Sequence, residues 1–144
     1  MSITGNNISA TDGNGILSTA RDATGTLNVS IKSNTVAAPL SGSRNGIRVD
    51  AGNSISNAET VCADIQANTT AGSGASPEGI GLRRQGTAPG VSTFGVEGMA
   101  ATSTPLVEGY VGGLNPGSAT NGGTGLKVLL ISATTGFTNC SSAP

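Results

Sequence analysis

Large aromatic and titratable rings are almost absent from this sequence. It has no histidine and no tryptophan, and it has only 1 tyrosine and 2 phenylalanines among 144 residues. The core therefore has to be built from Val, Ile, Leu and Ala in a shallow, regular packing. A zinc site or a histidine-activated nucleophile lacks its usual residues. We expect no catalytic residues, no bound metal and no cofactor.

Charge is also scarce in this chain. Charged residues make up 10% of it, with 7 basic and 8 acidic side chains and a formal net charge of −1. Nucleic-acid binding requires a basic face, and membrane insertion requires about 18 consecutive apolar residues. The sequence offers neither, so we expect no nucleic-acid partner and no membrane insertion. Its first residues lie inside a repeat without a signal segment, so we expect a piece of a longer protein.

Cysteine occurs only twice, at Cys62 and Cys140. Two cysteines are too few for a zinc cluster, which leaves either two buried thiols or one disulfide. The chain is otherwise typical of extracellular proteins, and this favours the disulfide. By the chain-entropy argument, such a link would stabilise the fold by roughly 4 kcal/mol at most.

Two short blocks recur in the same order along the chain. The spacings are 28 and 34 residues for the first block and 31 and 33 residues for the second. Repeats of about 30 residues with alternating apolar positions are typical of stacked solenoids. The blocks begin at Ile3, Ile31 and Ile65, and at Gly15, Gly46 and Gly79.

The alternation within the repeats predicts strands. Leu27, Val29 and Ile31 are expected to face inward, with polar residues between them facing outward. We predict an all-β fold, a short right-handed parallel β-helix of about three coils over residues 1–102. Residues 103–144 are expected to form a C-terminal cap of the same domain, with a short helix near 104–114 and a final strand.

Asparagine recurs at one position of the repeat, just after a strand, as Asn6, Asn34 and Asn68. Asparagine tolerates left-handed backbone conformations and bonds to nearby backbone. Stacked at about 4.8 Å, the three amides would form a structural ladder. The alternative is three unrelated turn residues, and the shared register favours the ladder.

Two residues of opposite charge also share a register. Asp50 and Arg83 lie 33 residues apart, at outward-facing positions of equivalent strands. We expect them to form an exposed charge pair on the outer face of adjacent coils. Such a pair contributes at most ~1 kcal/mol.

Residues 27–36 and 45–49 resemble the right-handed parallel β-helix repeat of bacterial surface and polysaccharide-acting proteins. Residues 79–87, 94–99, 115–116 and 139–140 are similar to the C-terminal end of the β-helix region in large secreted, adhesin-like bacterial proteins. This resemblance implies an extracellular or cell-surface location. The fold itself does not name a ligand, because β-helices host many functions.

These observations predict a non-enzymatic structural or adhesive module with a carbohydrate or cell-surface partner. The first coil leaves strand edges unpaired, so copies are expected to stack end to end or edge to edge into an oligomer or fibre. Two alternatives stay open. One is a fragment of a β-helix polysaccharide lyase or other carbohydrate-active protein, and the other is a surface filament subunit.

Overall fold

The computed structural model describes residues 1–22, 24–52, 58–74, 78–85, 92–99, 104–118, 128–131, 137–141 and 143–144. Short strands joined by tight turns dominate these residues, and one helix interrupts them near the C-terminal end. The elements are β1 (Ser2–Thr4), β2 (Asn7–Ile8), β3 (Ile16–Ala20), β4 (Thr26–Lys32), β5 (Thr35–Val36), β6 (Ile47–Ala51), β7 (Thr60–Gln66), β8 (Thr69–Thr70), β9 (Ile80–Arg84), β10 (Thr93–Glu97), α1 (Thr104–Leu114), β11 (Val128–Ile131) and β12 (Phe137–Cys140).

The strands are shared among three parallel sheets. The five-stranded sheet has the order β1-β4-β7-β10-β12, the four-stranded sheet has the order β11-β9-β6-β3, and the three-stranded sheet has the order β2-β5-β8. Each sheet therefore takes one strand from each of three successive stretches of chain. We call these the first unit (β1–β3), the second unit (β4–β6) and the third unit (β7–β9). The prediction of an all-β fold with parallel strands is confirmed.

The pairing register matches the repeats of the sequence. The spacings between paired strands are those of the two recurring blocks, because side chains of equal type stack on one another in both of the longer sheets. The paired isoleucines are Ile3 with Ile31, Ile31 with Ile65, Ile16 with Ile47, and Ile47 with Ile80.

The core lies between the sheets and consists almost entirely of aliphatic side chains. Val29, Ile31 and Val49 have no exposed surface. Aromatic residues enter only toward the C-terminal end, where the Phe94 and Phe137 rings pack with centroids 5.1 Å apart. Alternation along the strands places these side chains inward, as the sequence pattern predicted.

Residues after 103 do more than cover the repeats. The helix α1 has the predicted bounds. Its Val107 and Val111 are fully buried against the core, whereas Leu106 is 57% exposed. Strand β11 pairs with β9, and β12 pairs with β10. The segment predicted as a cap therefore also extends two of the sheets.

Candidate functional site

A left-handed turn brings each ladder asparagine into place. The residues Gly5, Ser33 and Ala67 have φ angles of 70°, 55° and 54°, and each directly precedes a ladder asparagine. The left-handed residue of each turn is thus the one before the asparagine and not the asparagine itself. The turn residue bends the chain from the five-stranded sheet toward the three-stranded sheet, so the following side chain points along the stacking direction.

The asparagines form a continuous chain of amide hydrogen bonds. Asn34 donates from its backbone N to Asn68 Oδ1 at 3.0 Å and from Nδ2 to the same oxygen at 2.9 Å. Asn6 donates to Asn34 Oδ1 in the same way, at 3.0 and 2.9 Å. The Nδ2 atom of Asn34 also reaches the carbonyl of Ile3 at 2.9 Å, and that of Asn68 reaches the carbonyl of Ile31 at 2.8 Å. Each amide therefore joins neighbouring units through both side chain and backbone.

A fourth asparagine, which the sequence analysis missed, closes the ladder. Asn115 follows α1 directly, and its Oδ1 accepts from the backbone N of Asn68 at 3.0 Å and from Asn68 Nδ2 at 2.9 Å. Its own Nδ2 donates to the carbonyls of Ile65 and Val111 at 2.8 and 2.7 Å. No repeat precedes Asn115, because a helix occupies that part of the chain, so the sequence spacing carried no signal for it.

A second asparagine column was also missed, although the sequence contains its signal. Asn45 donates from its backbone N to Asn14 Oδ1 at 3.0 Å and from Nδ2 to the carbonyl of Glu78 at 2.9 Å. Asn14 and Asn45 each directly precede one of the repeated glycines, so the dipeptide Asn-Gly recurs at a spacing of 31 residues. The column stops at Glu78, and Asn45 Oδ1 is left buried without a hydrogen-bond partner in the described residues.

Asp50 and Arg83 are register neighbours, as predicted, with a nitrogen–oxygen distance of 2.7 Å. The prediction that this pair is exposed was wrong, because the side chain of Asp50 has no exposed surface. Two more arginines cover it. Arg48 donates from Nε to Asp50 Oδ1 at 2.9 Å, and Arg21 pairs with Asp50 Oδ2. One carboxylate thus joins three guanidinium groups, which we call the arginine cluster (Arg21, Arg48, Asp50 and Arg83).

The arginine cluster gathers charge that is dispersed in the sequence. Arg21 follows β3, Arg48 and Asp50 lie in β6, and Arg83 lies in β9, so the group spans three units. Its four side chains carry three positive charges and one negative charge. Alternation predicted that Asp50 and Arg83 face away from the core, but the sequence alone did not show that three long side chains fold over one carboxylate.

Arg84 directly follows the cluster but has a different environment. Its Nε donates to the backbone carbonyl of Ser92, and burial lowers the pKa of this guanidinium from its usual value. Arg84 therefore belongs to the packing between β9 and the start of β10, and we do not include it in the arginine cluster.

The two cysteines are joined by a disulfide. Cys62 in β7 and Cys140 in β12 have Cα atoms 5.9 Å apart and close a loop with a sequence separation of 78 residues. A carboxylate oxygen of Glu97 lies within 4.8 Å of both sulfur atoms. Because the sulfurs are bonded to each other, neither is the thiolate that a soft metal ion requires. The disulfide therefore links β12 to β7, with β10 lying between these two strands in the sheet.

Comparisons with protein-family models, with curated proteins and with solved structures found no match to this chain. Within the described residues, the only helix has 11 residues and is therefore too short to cross a bilayer.

Proposed function

We propose that this chain is a short right-handed parallel β-helix that acts as a non-enzymatic structural or adhesive module of an extracellular bacterial protein. The observation that carries the proposal is the stacking of three units in one register, with a hydrogen-bonded amide column through all of them. Such an arrangement joins each unit to its neighbours and to little else, which suits a load-bearing rod or a flat binding wall.

The disulfide supports an extracellular location for this module. Disulfides persist in oxidising compartments and are rare in the reducing cytosol of mesophilic cells. The Cys62–Cys140 link joins two strands of the five-stranded sheet that are not sequence neighbours. It would therefore hold the last strand in place where no chaperone or reductant is present.

The edge of the first unit supports stacking with a further unit. Strand β1 has β4 as its neighbour on one side and none on the other within the described residues. It bonds to β4 through the carbonyl of Met1 and the backbone N of Gly5. Because alternate residues of a strand direct their backbone N–H and C=O groups to opposite sides, those of Ser2 and Thr4 face away from β4. This edge would accept a parallel strand from a preceding unit or from another copy, as a filament subunit requires.

The ladder favours a partner of one particular kind at that edge. Asn34 and Asn68 each accept two hydrogen bonds at Oδ1 from the unit before, and Asn6 is at the start of the series. Its Nδ2 bonds to the carbonyl of Thr4 in its own unit at 3.3 Å, whereas Asn34 and Asn68 reach the preceding unit. A parallel unit with an asparagine at the matching position would donate to Asn6 Oδ1, and its backbone would offer a carbonyl to Asn6 Nδ2.

Sedimentation at increasing protein concentration tests self-stacking, and electron microscopy tests fibre formation. Ser2→Pro removes an outward backbone N–H of the exposed edge without removing a bond to β4, and Ser2→Ala is the matched control. We expect the wild type and Ser2→Ala to assemble and Ser2→Pro to stay monomeric. A wild type that is monomeric at all concentrations, or a Ser2→Pro variant that assembles equally, would contradict stacking of copies.

A turnover assay tests the non-enzymatic part of the proposal. The protein is incubated with a panel of acidic polysaccharides in the presence of calcium, and new chain ends are measured. We expect no turnover above that of heat-denatured protein. Cleavage that is lost in Arg83→Ala, but kept in Arg44→Ala, would overturn the proposal in favour of a carbohydrate-active enzyme.

A further inference from the structure

The arginine cluster has more positive charge than its own carboxylate neutralises. Asp50 carries one negative charge, and the three guanidinium groups around it carry three positive charges. Arginine stays protonated at all physiological pH values. The four side chains therefore have a net charge of +2 in a molecule whose formal net charge is −1. General attraction of anions to the protein is not expected, so any anion binding here depends on the local arrangement.

The guanidinium groups are held in position but are incompletely used. A guanidinium carries five N–H donors, and Asp50 accepts from one nitrogen of each arginine. The arginine side chains are 37%, 19% and 16% exposed for Arg21, Arg48 and Arg83. Arg83 Nε is buried without a hydrogen-bond partner in the described residues. The donors that solvent or a ligand can reach therefore lie on the exposed parts of the three side chains, above all that of Arg21.

Asp50 acts as an internal anchor for this arrangement. It is fully buried in β6, which lies between β3 and β9 in the sheet. Arg21 directly follows β3, and Arg83 lies in β9. Bonding to one fixed carboxylate restricts three long side chains that would otherwise lose rotamer entropy on binding a ligand. A site organised in this way before binding gains affinity because that entropic cost is already met in the folded state.

We infer that the outer side of the arginine cluster binds an oxyanion, a sulfate or carboxylate group, between Arg21, Arg48 and Arg83. The planar fork of arginine matches both groups, and charge-assisted hydrogen bonds of this kind are short and strong. Thr19, which pairs with Asp50 in the sheet and is exposed, lies beside the site with a further hydroxyl donor. This inference depends on the four-stranded sheet alone and stands whether or not copies of the chain stack.

Binding is tested with three probes, inorganic sulfate, heparin as a sulfated polysaccharide, and polygalacturonate as a carboxylated one. Calorimetry at low ionic strength compares the wild type with Arg21→Gln and with Arg44→Gln. Both residues are exposed, both substitutions remove one positive charge, and Arg44 lies outside the cluster. We expect Arg21→Gln to weaken binding about tenfold and Arg44→Gln to change it less than about twofold.

The three probes distinguish the source of the oxyanion. Arg21-dependent binding of inorganic sulfate assigns the site to a single anion, and binding of a polymer alone assigns it to an anionic polysaccharide. Equal weakening by Arg21→Gln and Arg44→Gln would overturn the inference, because general charge attraction would then explain the result. Absence of binding by all three probes would overturn it as well.

A measurement on the wild type avoids dependence on the folding of any variant. Nitrogen-15 resonances of the arginine side chains are recorded during titration with sodium sulfate, with sodium chloride at matched ionic strength as the control. We expect the Nε signals of Arg21 and Arg48 to shift with saturation, and that of Arg44 to stay unchanged. Shifts of equal size at all three residues would contradict a defined site.

Discussion

The two ends of the asparagine ladder differ in what lies beyond them. At the C-terminal end, Asn115 is fully buried, and both donors of its Nδ2 are taken by carbonyls of β7 and α1. At the N-terminal end, Asn6 is exposed and falls back on the carbonyl of Thr4 in its own unit. The same side chain therefore completes a network in one place and leaves it open in the other. The contribution of a ladder asparagine to stability therefore depends on whether a neighbouring unit supplies its hydrogen-bond partners.

Alanine substitutions at an inner position and at the open end of the ladder should differ most in their effect on the free energy of unfolding. Asn68→Ala removes the acceptor for two donors of Asn34 and leaves the carbonyl of Ile31 without this partner. We expect a loss of about 4 kcal/mol in the free energy of unfolding, because each unsatisfied buried group costs about 1–3 kcal/mol. Asn6→Ala should cost less than about 1 kcal/mol, since water can reach the groups it exposes. Urea unfolding of the oxidised proteins measures both, and equal losses would contradict the contrast.

Removal of the disulfide tests how firmly the C-terminal end is held. Replacing Cys62 and Cys140 together by serine should lower the free energy of unfolding by about 2–4 kcal/mol, because the unfolded chain regains the entropy of a long loop. Reduced wild-type protein is the control and should behave like the variant. Amide hydrogen exchange should quicken in β12 more than in β1, and a uniform change would contradict a local hold on the last strand.

Close approach of the units is tested at Gly46. A Cβ added there would overlap Thr70 Oγ1 and lie 2.7 Å from the carbonyl of Ala71. Because the carbonyl belongs to the backbone, Gly46→Ala should cost about 2–3 kcal/mol by overpacking. In the first unit, a Cβ at Gly15 would overlap Cγ1 of the buried Val36 and lie 3.0 Å from the carbonyl of Gly46. Because this backbone contact is longer, Gly15→Ala should cost less. Gly25→Ala meets nothing within 4 Å and serves as the control in thermal unfolding.

Asp50 links the open first unit to the covered third unit through Arg21 and Arg83. Asp50→Asn leaves three guanidinium groups without their carboxylate, and we expect a loss of about 2 kcal/mol. This value lies below the usual cost of breaking a buried pair, because the arginines are partly exposed to solvent. Asp12→Asn, at an exposed carboxylate, is the control and should change the urea midpoint very little.

The smallest effect is expected at the left-handed turns. The open end already has glycine at Gly5, whereas the third unit has Ala67 with a φ of 54°. Ala67→Gly should raise stability by up to about 1 kcal/mol, because the strain of a Cβ in this conformation exceeds the added entropy of the unfolded chain. Ala37→Gly, at an exposed position without a positive φ, should lower the melting temperature slightly. A lower melting temperature for Ala67→Gly would contradict this account.

The repeats in the sequence predicted the register because stacking requires like residues at like positions. Ile3, Ile31 and Ile65 are paired across the five-stranded sheet at the spacings that the sequence shows. The ladder positions Asn34 and Asn68 followed from the same spacings, because a hydrogen-bonded column imposes one residue type at each level. Local chemistry also sufficed for α1, whose bounds agree with the prediction.

Features that depend on long side chains or on non-repeated segments were not predictable in this way. Asn115 follows a helix, whereas the other ladder asparagines lie between two strands, so it belongs to no repeat. The burial of Asp50 results from Arg21 and Arg48 folding over it. Alternation predicts which face of the sheet a side chain lies on, but it does not predict whether other side chains bury it there. The second column at Asn14 and Asn45 was accessible to sequence reasoning through the recurring Asn-Gly pair.

The sulfur bridge also decides how this chain would respond to mechanical tension. A force applied to its two termini passes from β7 into β12 through the bridge, so the loop between the cysteines, with its sequence separation of 78, carries none of it. At about 3.4 Å per extended residue, oxidised molecules would stretch about 260 Å less than reduced ones. Only the residues before Cys62 and the few after Cys140 would then add length to the stretched molecule.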